Sequence, residues 1–411
     1  MNIKKYILTL CVGVAALSIS AAVKPGIEVL RDNHFKQLEG KRVGLITNPT
    51  GVDNNLKSTI DILHEAPNVK LVALYGPEHG VRGDVHAGDH IDNTIDPATG
   101  VKVYSLYGKT RKPTKEMLDD IDVLVYDIQD IGCRSFTFIS TMGVAMEACA
   151  EYGKEFMVLD RPNPVGGNKV EGNLVEPKSV SFVSQYAIPY VYGLTPGELA
   201  LMLNQEKMLE NGKQVKLTVV PMTGWKRNMT FDQTKMPWVL PSPHIPQPIS
   251  AYFYPASGIL GELGYMSIGV GYTLPFQIFT AQWVEAEKLC KNLNDLNLPG
   301  LRFRPIHIKP FYSVGQGENM QGVQVYITDP EAANLSLTQF YVMQELAKLY
   351  PDHKVFDNAD QKRFNMFDKV TGSSKIRELF SKRHMVEDMI DYWNKDVKSF
   401  KAKSAKYYLY K

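Results

Sequence analysis

The chain has 411 residues, 44% hydrophobic and 22% charged, with 46 Lys and Arg against 44 Asp and Glu. That balance excludes a disordered or fibrous chain and offers neither nucleic acid nor an anionic membrane the basic surface that each requires. At roughly 150 residues per domain the length predicts two or three domains, and two is the working number.

The first 22 residues differ in kind from the rest. Lys4 and Lys5 precede an apolar run from Ile7 to Ile19, and small residues follow at 18–22, which is the layout of a cleavable secretory signal. The run is shorter than the about 20 residues that a spanning helix needs, so no stable membrane insertion is expected. Cys11 raises a lipid-anchor reading, but Leu10 occupies the place where such a signal wants a small residue. The expected product is periplasmic or secreted. Without Lys4 and Lys5 it carries 44 basic and 44 acidic residues. Cys133, Cys149 and Cys290 remain, an odd number without Cys-x-x-Cys spacing, which supports neither a disulfide framework nor a zinc site.

From residue 41 to about 221, apolar runs of strand length alternate with helical patterns. Strands are predicted at Val43 to Thr47, Val69 to Tyr75, Val101 to Leu106, Val123 to Tyr126, Phe156 to Leu159 and Leu217 to Val220. Helices are predicted at Ser58 to His64, Phe138 to Tyr152 and Pro196 to Leu203. Continuous apolar strands separated by helices point to a parallel sheet covered on both faces, hence a Rossmann-like α/β domain over 23–235. The stretch from 224 to 262 holds six prolines between Pro237 and Pro255 and reads as a boundary or an active-site rim rather than a helix. Beyond it, strands at Phe276 to Thr280, Phe303 to Lys309 and Val323 to Thr328 mix with helices at Ala286 to Leu293, Leu337 to Tyr350 and Ile376 to Trp393. A smaller α+β domain over 236–411, closing the cleft, is the expectation.

In an open parallel sheet the ligand crevice lies outside the carboxyl ends of the strands. Those ends run into Asn48-Pro49-Thr50-Gly51, into Gly76-Pro77-Glu78-His79-Gly80-Val81-Arg82-Gly83-Asp84, into Asp127-Ile128-Gln129-Asp130, and into Asp160-Arg161-Pro162-Asn163. No G-x-G-x-x-G or Walker loop follows the first strand, and no G-x-S-x-G elbow occurs, so neither a dinucleotide enzyme nor that type of serine hydrolase is indicated. Carboxylates are the better supply. Glu78 follows a buried strand, a placement suited to a partly desolvated acid with a raised pKa, and Asp127 and Asp130 sit on a neighbouring loop. Glycoside hydrolysis needs such a proton donor and a group, usually a second carboxylate, to stabilise the sugar cation. The bland alternatives are a turn cap for Glu78 and an ion pair between Asp130 and Arg134. Arg82, Arg134 and Arg161 could clamp a substrate carboxylate or form internal salt bridges. His79, Asp84, His86, Asp89 and His90 could hold a divalent metal, although Gly88 argues against the helix that would align them, and solvated loop histidines are the simpler account. Trp225, Trp238, Tyr252 and Tyr254 flank the proline-rich stretch as sugar-stacking or core residues.

Gly44 to Gly51, Gly76 to Asp84, Tyr126 to Gly132 and Leu159 to Pro164 together resemble the NamZ-type exo-β-N-acetylmuramidases. The resemblance runs from about residue 26 to the C-terminus and is densest before 245. It implies a secreted or periplasmic glycosidase that needs no cofactor and removes N-acetylmuramic acid from the non-reducing ends of peptidoglycan fragments. Its site would lie in a cleft between a Rossmann-like and a smaller domain, with Glu78 as the catalytic residue. The second half departs from the family pattern: His244 stands in place of Asn, Val191-Tyr192-Gly193 in place of Arg-His-Gly, and the 261–273 run, with Glu262, lacks an arginine.

The expectation is thus that Glu78 protonates the leaving oxygen and that Asp127, Asp130 or the substrate's own acetamido group stabilises the cation. Arg82, Arg134 or Arg161 would meet the lactyl carboxylate, and Asn48, His79, Asp84, Gln129, Asn163 and Glu262 would line the sugar. A non-catalytic sugar-binding protein and a metal-dependent hydrolase are the rival readings.

Overall fold

The computed structural model describes residues 22–78, 80–83, 94–108 and 110–411. The signal segment and His79, Asp84, His86, Asp89 and His90 lie outside the described residues. No helix among the described residues is long and apolar enough to cross a membrane.

Among the described residues, seven strands form the first sheet: β1 (Arg42–Thr47), β2 (Lys70–Gly76), β3 (Thr94–Ile95), β4 (Lys102–Ser105), β5 (Val123–Asp127), β6 (Glu155–Leu159) and β7 (Lys216–Val220), in the order β3-β4-β2-β1-β5-β6-β7. All neighbours are parallel except the two-residue β3, which pairs antiparallel with β4 at the edge. Side chains alternate between the faces as the pleat requires. Val43, Leu45, Val123, Val125 and Met157 pack toward helices Gly26–Asp32 and Thr59–Glu65, whereas Ile46, Leu124, Tyr126, Phe156 and Val158 pack toward helices Phe138–Tyr152 and Pro196–Gln205. Both faces are therefore buried, which is why these strands read as unbroken apolar runs. Helix ends follow local chemistry. Thr195 and Glu198 form a capping box behind Pro196 at the first helical position, and Gly153 closes helix Phe138–Tyr152 in the left-handed conformation.

The second lobe is built on an antiparallel sheet ordered β8-β10-β9, where β8 is Ile278–Ala281, β9 Leu301–Ile308 and β10 Met320–Ile327. Helix Ala286–Asp295 buries Ala286, Leu289, Cys290 and Leu293, one stripe at helical spacing, as its pattern predicts. Two expectations are corrected here. Part of the proline-rich segment is a helix, Ser250–Gly261, with Pro255 inside it. It is apolar on nearly every side and sinks into the second core, so burial outweighs the hydrogen bond that Pro255 removes, and the Pro255 carbonyl accepts from Gln339 Nε2 at 2.9 Å. The span from Ile376 to Trp393 is not one helix. It divides into Ser374–Phe380, a 3-10 turn at Val386–Asp388 and Ile390–Asn394, with His384 at φ 55 interrupting the run.

The lobes share a core. Ile131, Cys133, Val165, Tyr190 and Val191 of the first lobe belong to the cluster that holds Phe340, Phe367 and Trp393 of the second. The chain end returns to the first lobe, where Phe400 and Tyr407 join its core and the Tyr410 hydroxyl donates to Asp160 Oδ2 at 2.5 Å.

Candidate active site

β1 lies between β2 and β5, so the strand order reverses direction at the β1/β5 boundary, where ligands of doubly wound sheets usually bind. Here that crevice is filled by the protein itself. Asp127, at the end of β5, is fully buried, accepts from Arg161 Nε at 2.5 Å and Nη2 at 2.9 Å, and accepts from Thr59 Oγ1 at 2.5 Å. Arg161 completes its set by donating to the Val52 carbonyl at 2.8 Å. Asn48 Oδ1 accepts from the Thr50 N–H and hydroxyl, and Thr50 Oγ1 in turn accepts from the Gln129 N–H at 2.8 Å. Gln129 Nε2 spans the Asp130 and Pro162 carbonyls, and Asn163 ties the Leu194 carbonyl to the Val165 N–H. These side chains seal the strand ends.

Asp130 is buried beside Tyr126 and Tyr192, accepts from the Gly132 N–H at 2.6 Å and from the Tyr192 hydroxyl, and desolvation pushes its carboxyl up to about 7. It does not pair with Arg134. That guanidinium is 1% exposed and donates to Ser184 Oγ and to the carbonyls of Asn173, Ile188 and Val370, stitching the lobes together. Burial with no carboxylate among those partners draws its pKa down to about 10. Arg82 is spent on Asp96, at 2.9 and 3.0 Å, with Asp61 at 3.4 Å. The three arginines expected to meet the substrate are thus committed to internal partners, and Asp127, Asp130, Asn48, Gln129 and Asn163 do not line the open cleft.

The open space lies to one side, over β2 and β4, as a cavity of about 620 Å³ between the lobes. From the first lobe it is walled by Glu78 after β2, Tyr107 and Arg111 after β4, and Ser135 to Phe138 at the start of helix Phe138–Tyr152. The second lobe supplies Ser242, Tyr254, Glu262, Met366 and Lys369. Of the expected site residues among those described, this cavity brings together Glu78 and Glu262. Glu78 is half-buried, and its Oε2 accepts from Thr137 Oγ1 at 3.4 Å, next to a helix whose first turn has no side-chain cap. An uncapped helix start favours negative charge. Glu262 follows the buried helix Ser250–Gly261, and desolvation raises its carboxyl above the ordinary range despite the opposing Arg363 charge. Tyr254 lies close enough to feel both glutamates, its phenol held neutral by burial, and shares Ser135 Oγ with Tyr190 at 3.3 Å from each hydroxyl.

Among the described residues, Arg111 and Lys369 are the cations on these walls. Arg111 stacks on Phe182 at 4.4 Å, and among the described residues neither cation has a carboxylate partner. Sequence reasoning passed over both. Arg111 sits on the loop after a predicted strand and was open to the same strand-end rule, whereas Lys369 comes from a helix, Phe364–Thr371, that carries no motif. Of the four candidate aromatics, Tyr254 lines this cavity. Trp225 packs on Tyr410, Trp238 on Phe231, and Tyr252 lies in the core beside a different cavity. The cysteines of the described chain, Cys133, Cys149 and Cys290, are buried and unbridged. No cluster of three metal-ligating side chains occurs among the described residues.

Comparison with known proteins agrees with this two-lobed arrangement. The N-terminal profile of the exo-β-N-acetylmuramidase NamZ family matches residues 43–249 and its C-terminal profile residues 252–410, meeting inside the proline-rich segment. The peptidoglycan β-N-acetylmuramidase NamZ of Bacillus subtilis (strain 168) is 46% identical over 388 residues, 94% of this chain and 91% of the relative. A crystal structure of a DUF1343 family protein from Bacteroides fragilis NCTC 9343 superposes with a TM-score of 0.92 at 69% identity, covering 95% of this chain and 99% of that one. A second such protein from the same organism gives 0.75 at 28% identity over the same shares. On these matches, which span both lobes, the chain belongs to the exo-β-N-acetylmuramidase NamZ family.

Proposed function

We propose that the inter-lobe cleft is the site at which this exo-β-N-acetylmuramidase removes N-acetylmuramic acid from peptidoglycan fragments, with Glu78 and Glu262 as its carboxylate pair. The observation that carries the assignment is that two glutamates from different lobes wall one cavity, since the reaction needs a proton donor and a second group to stabilise the sugar cation. Their surroundings divide the roles. Glu262, whose carboxyl burial pushes upward, holds the proton that passes to the leaving oxygen. Glu78, beside the Thr137 hydroxyl and the uncapped helix start, carries the negative charge that stabilises the developing oxocarbenium ion. This moves the proton from Glu78, where sequence reasoning put it, to its partner across the cleft.

Arg111 and Lys369, in place of Arg82, Arg134 and Arg161, meet the lactyl carboxylate that distinguishes muramic acid from glucosamine. The neutral Tyr254 phenol is available as a donor to the sugar. Such a substrate, together with the signal-like first 22 residues, fits a periplasmic or secreted enzyme. Release of free N-acetylmuramic acid from a defined disaccharide by the wild type, Glu78→Gln and Glu262→Gln tests the reading. Turnover in either variant equal to the wild type removes that glutamate from the chemistry.

A further inference from the structure

Beside the cleft the second lobe carries exposed aromatic rings that the bond-breaking step does not use. Phe311 is 67% exposed and Tyr312 50%. Tyr272 stacks on Phe311 with ring centroids 5.9 Å apart and planes inclined by 19°. The Tyr312 hydroxyl meets His244 Nε2 at 2.7 Å, and Ser242, two residues before His244, lines the cleft. The rings are therefore tied through His244 to the segment that supplies Ser242 to the cleft wall. Next to Tyr272 they end at a separate cavity of about 470 Å³, where Lys309, Asn319 and Gln321 add polar groups.

The platform is held in place by backbone contacts. The Phe311 N–H donates to the Gly271 carbonyl at 2.8 Å, and the Gly317 N–H closes the loop onto the Pro310 carbonyl at 2.9 Å. Gly271 has φ +92, and a Cβ there would lie 1.9 Å from the Tyr312 carbonyl oxygen, so only glycine lets the two loops join this closely. Leaving large rings in solvent forgoes the stabilisation of burying them, and adjacent exposed rings mark a surface that binds something.

We propose that Tyr272, Phe311 and Tyr312 bind the glycan strand that trails from the bond being cleaved. The proposal rests on the assignment of the cleft given above. An exo-acting enzyme holds one sugar in the cleft and must accommodate the rest of the strand beyond it, and this surface is joined to the cleft wall through the 242–244 segment. Pyranose rings present C–H faces that pack on aromatic faces, while their edge hydroxyl and acetamido groups seek donors and acceptors of the kind supplied by Lys309, Asn319 and Gln321.

The test compares a disaccharide with long glycan strands ending in N-acetylmuramic acid, using the wild type and Phe311→Ala/Tyr312→Ala. The wild type is expected to show a lower KM for the long strands. In the double variant that KM rises roughly tenfold, equivalent to about 1.4 kcal/mol, while kcat and KM for the disaccharide stay at wild-type values. Phe311→Ser alone removes a side chain that is mostly in solvent, leaves no internal void, and is expected to shift the long-strand KM in the same direction by less. Equal wild-type KM values for the two substrates, or equal effects of the double variant on both, overturn the platform. Failure of the wild type to release sugar from the disaccharide counts instead against the cleft assignment, so the two readings fail separately.

Discussion

Glu78 and Glu262 reach one cavity from different lobes, and the division of labour between them can be measured at single positions. Replacing either by Gln is expected to lower kcat by about 10²- to 10⁴-fold, the usual contribution of a positioned acid or base. Because burial raises the Glu262 carboxyl, wild-type activity should persist toward neutral pH and fall as pH climbs through that raised value. Glu262→Gln should retain a residual rate without that alkaline decline, read from the pH profile of kcat/KM. Arg111→Ala and Lys369→Ala should each raise KM for muramic-acid substrates by roughly tenfold or more, the worth of a charge-assisted hydrogen bond. A matched glucosamine substrate, lacking the lactyl carboxylate, should be unaffected. At this scale Glu78 was legible because it ends a strongly patterned strand. Lys369 was not, because nothing in a lysine on an ordinary helix signals which cavity the helix will face.

The strand ends of the first sheet carry polar side chains that look like a ligand site in the sequence and serve as a plug in the fold. Asp127, Arg161 and Thr59 come from three segments and satisfy one another in a space without solvent. Breaking such a buried pair from one side typically destabilises by about 3–5 kcal/mol. Asp127→Ala should therefore lower the denaturant midpoint by that equivalent, while the variant that remains folded at low temperature keeps a near-wild-type kcat on the disaccharide. A catalytic role for Asp127 would give the opposite pattern. Helix Ser250–Gly261 makes the same point about elements, since a proline density that argues against helix in isolation is overruled once the segment is surrounded by apolar neighbours.

The whole molecule is two lobes joined by a shared core, by the Arg134 stitches and by a returning chain end. Tyr410 donates to Asp160 and accepts from the Met222 N–H, Tyr408 lies against Arg227 at 3.4 Å, and the Leu409 N–H bonds Glu198. Deleting residues 408–411 should lower stability by about 2–4 kcal/mol, from one buried tyrosine and the hydrogen bonds it leaves open, and should lower Tm in a calorimetric melt. The pH dependence of stability carries a second signature. Asp130 titrates near 7 in the folded protein but near the ordinary Asp value of about 3.9 when unfolded, so between these values the folded state binds more protons. Its contribution is fully present below about pH 4 and is lost as pH rises to 7, with a slope of at most about 1.4 kcal/mol per pH unit. Asp130→Asn should flatten that decline in thermal melts across this range.

Six of the first sheet's described strands, its helices Thr59–Glu65, Phe138–Tyr152 and Pro196–Gln205, and the α/β class follow from the sequence alone, because a sheet covered on both faces leaves unbroken apolar runs, whereas helix Gly26–Asp32 and the two-residue β3 carry no such pattern. Motif residues such as Glu78 and Asp127 were equally visible there. Only the tertiary structure decided which of them face the cleft and which close the strand ends, and it brought Glu262, Arg111 and Lys369 to the wall opposite or beside Glu78. The reason is physical: apolar periodicity is a local property of a segment, whereas the fate of a charged side chain depends on which distant groups arrive to neutralise it.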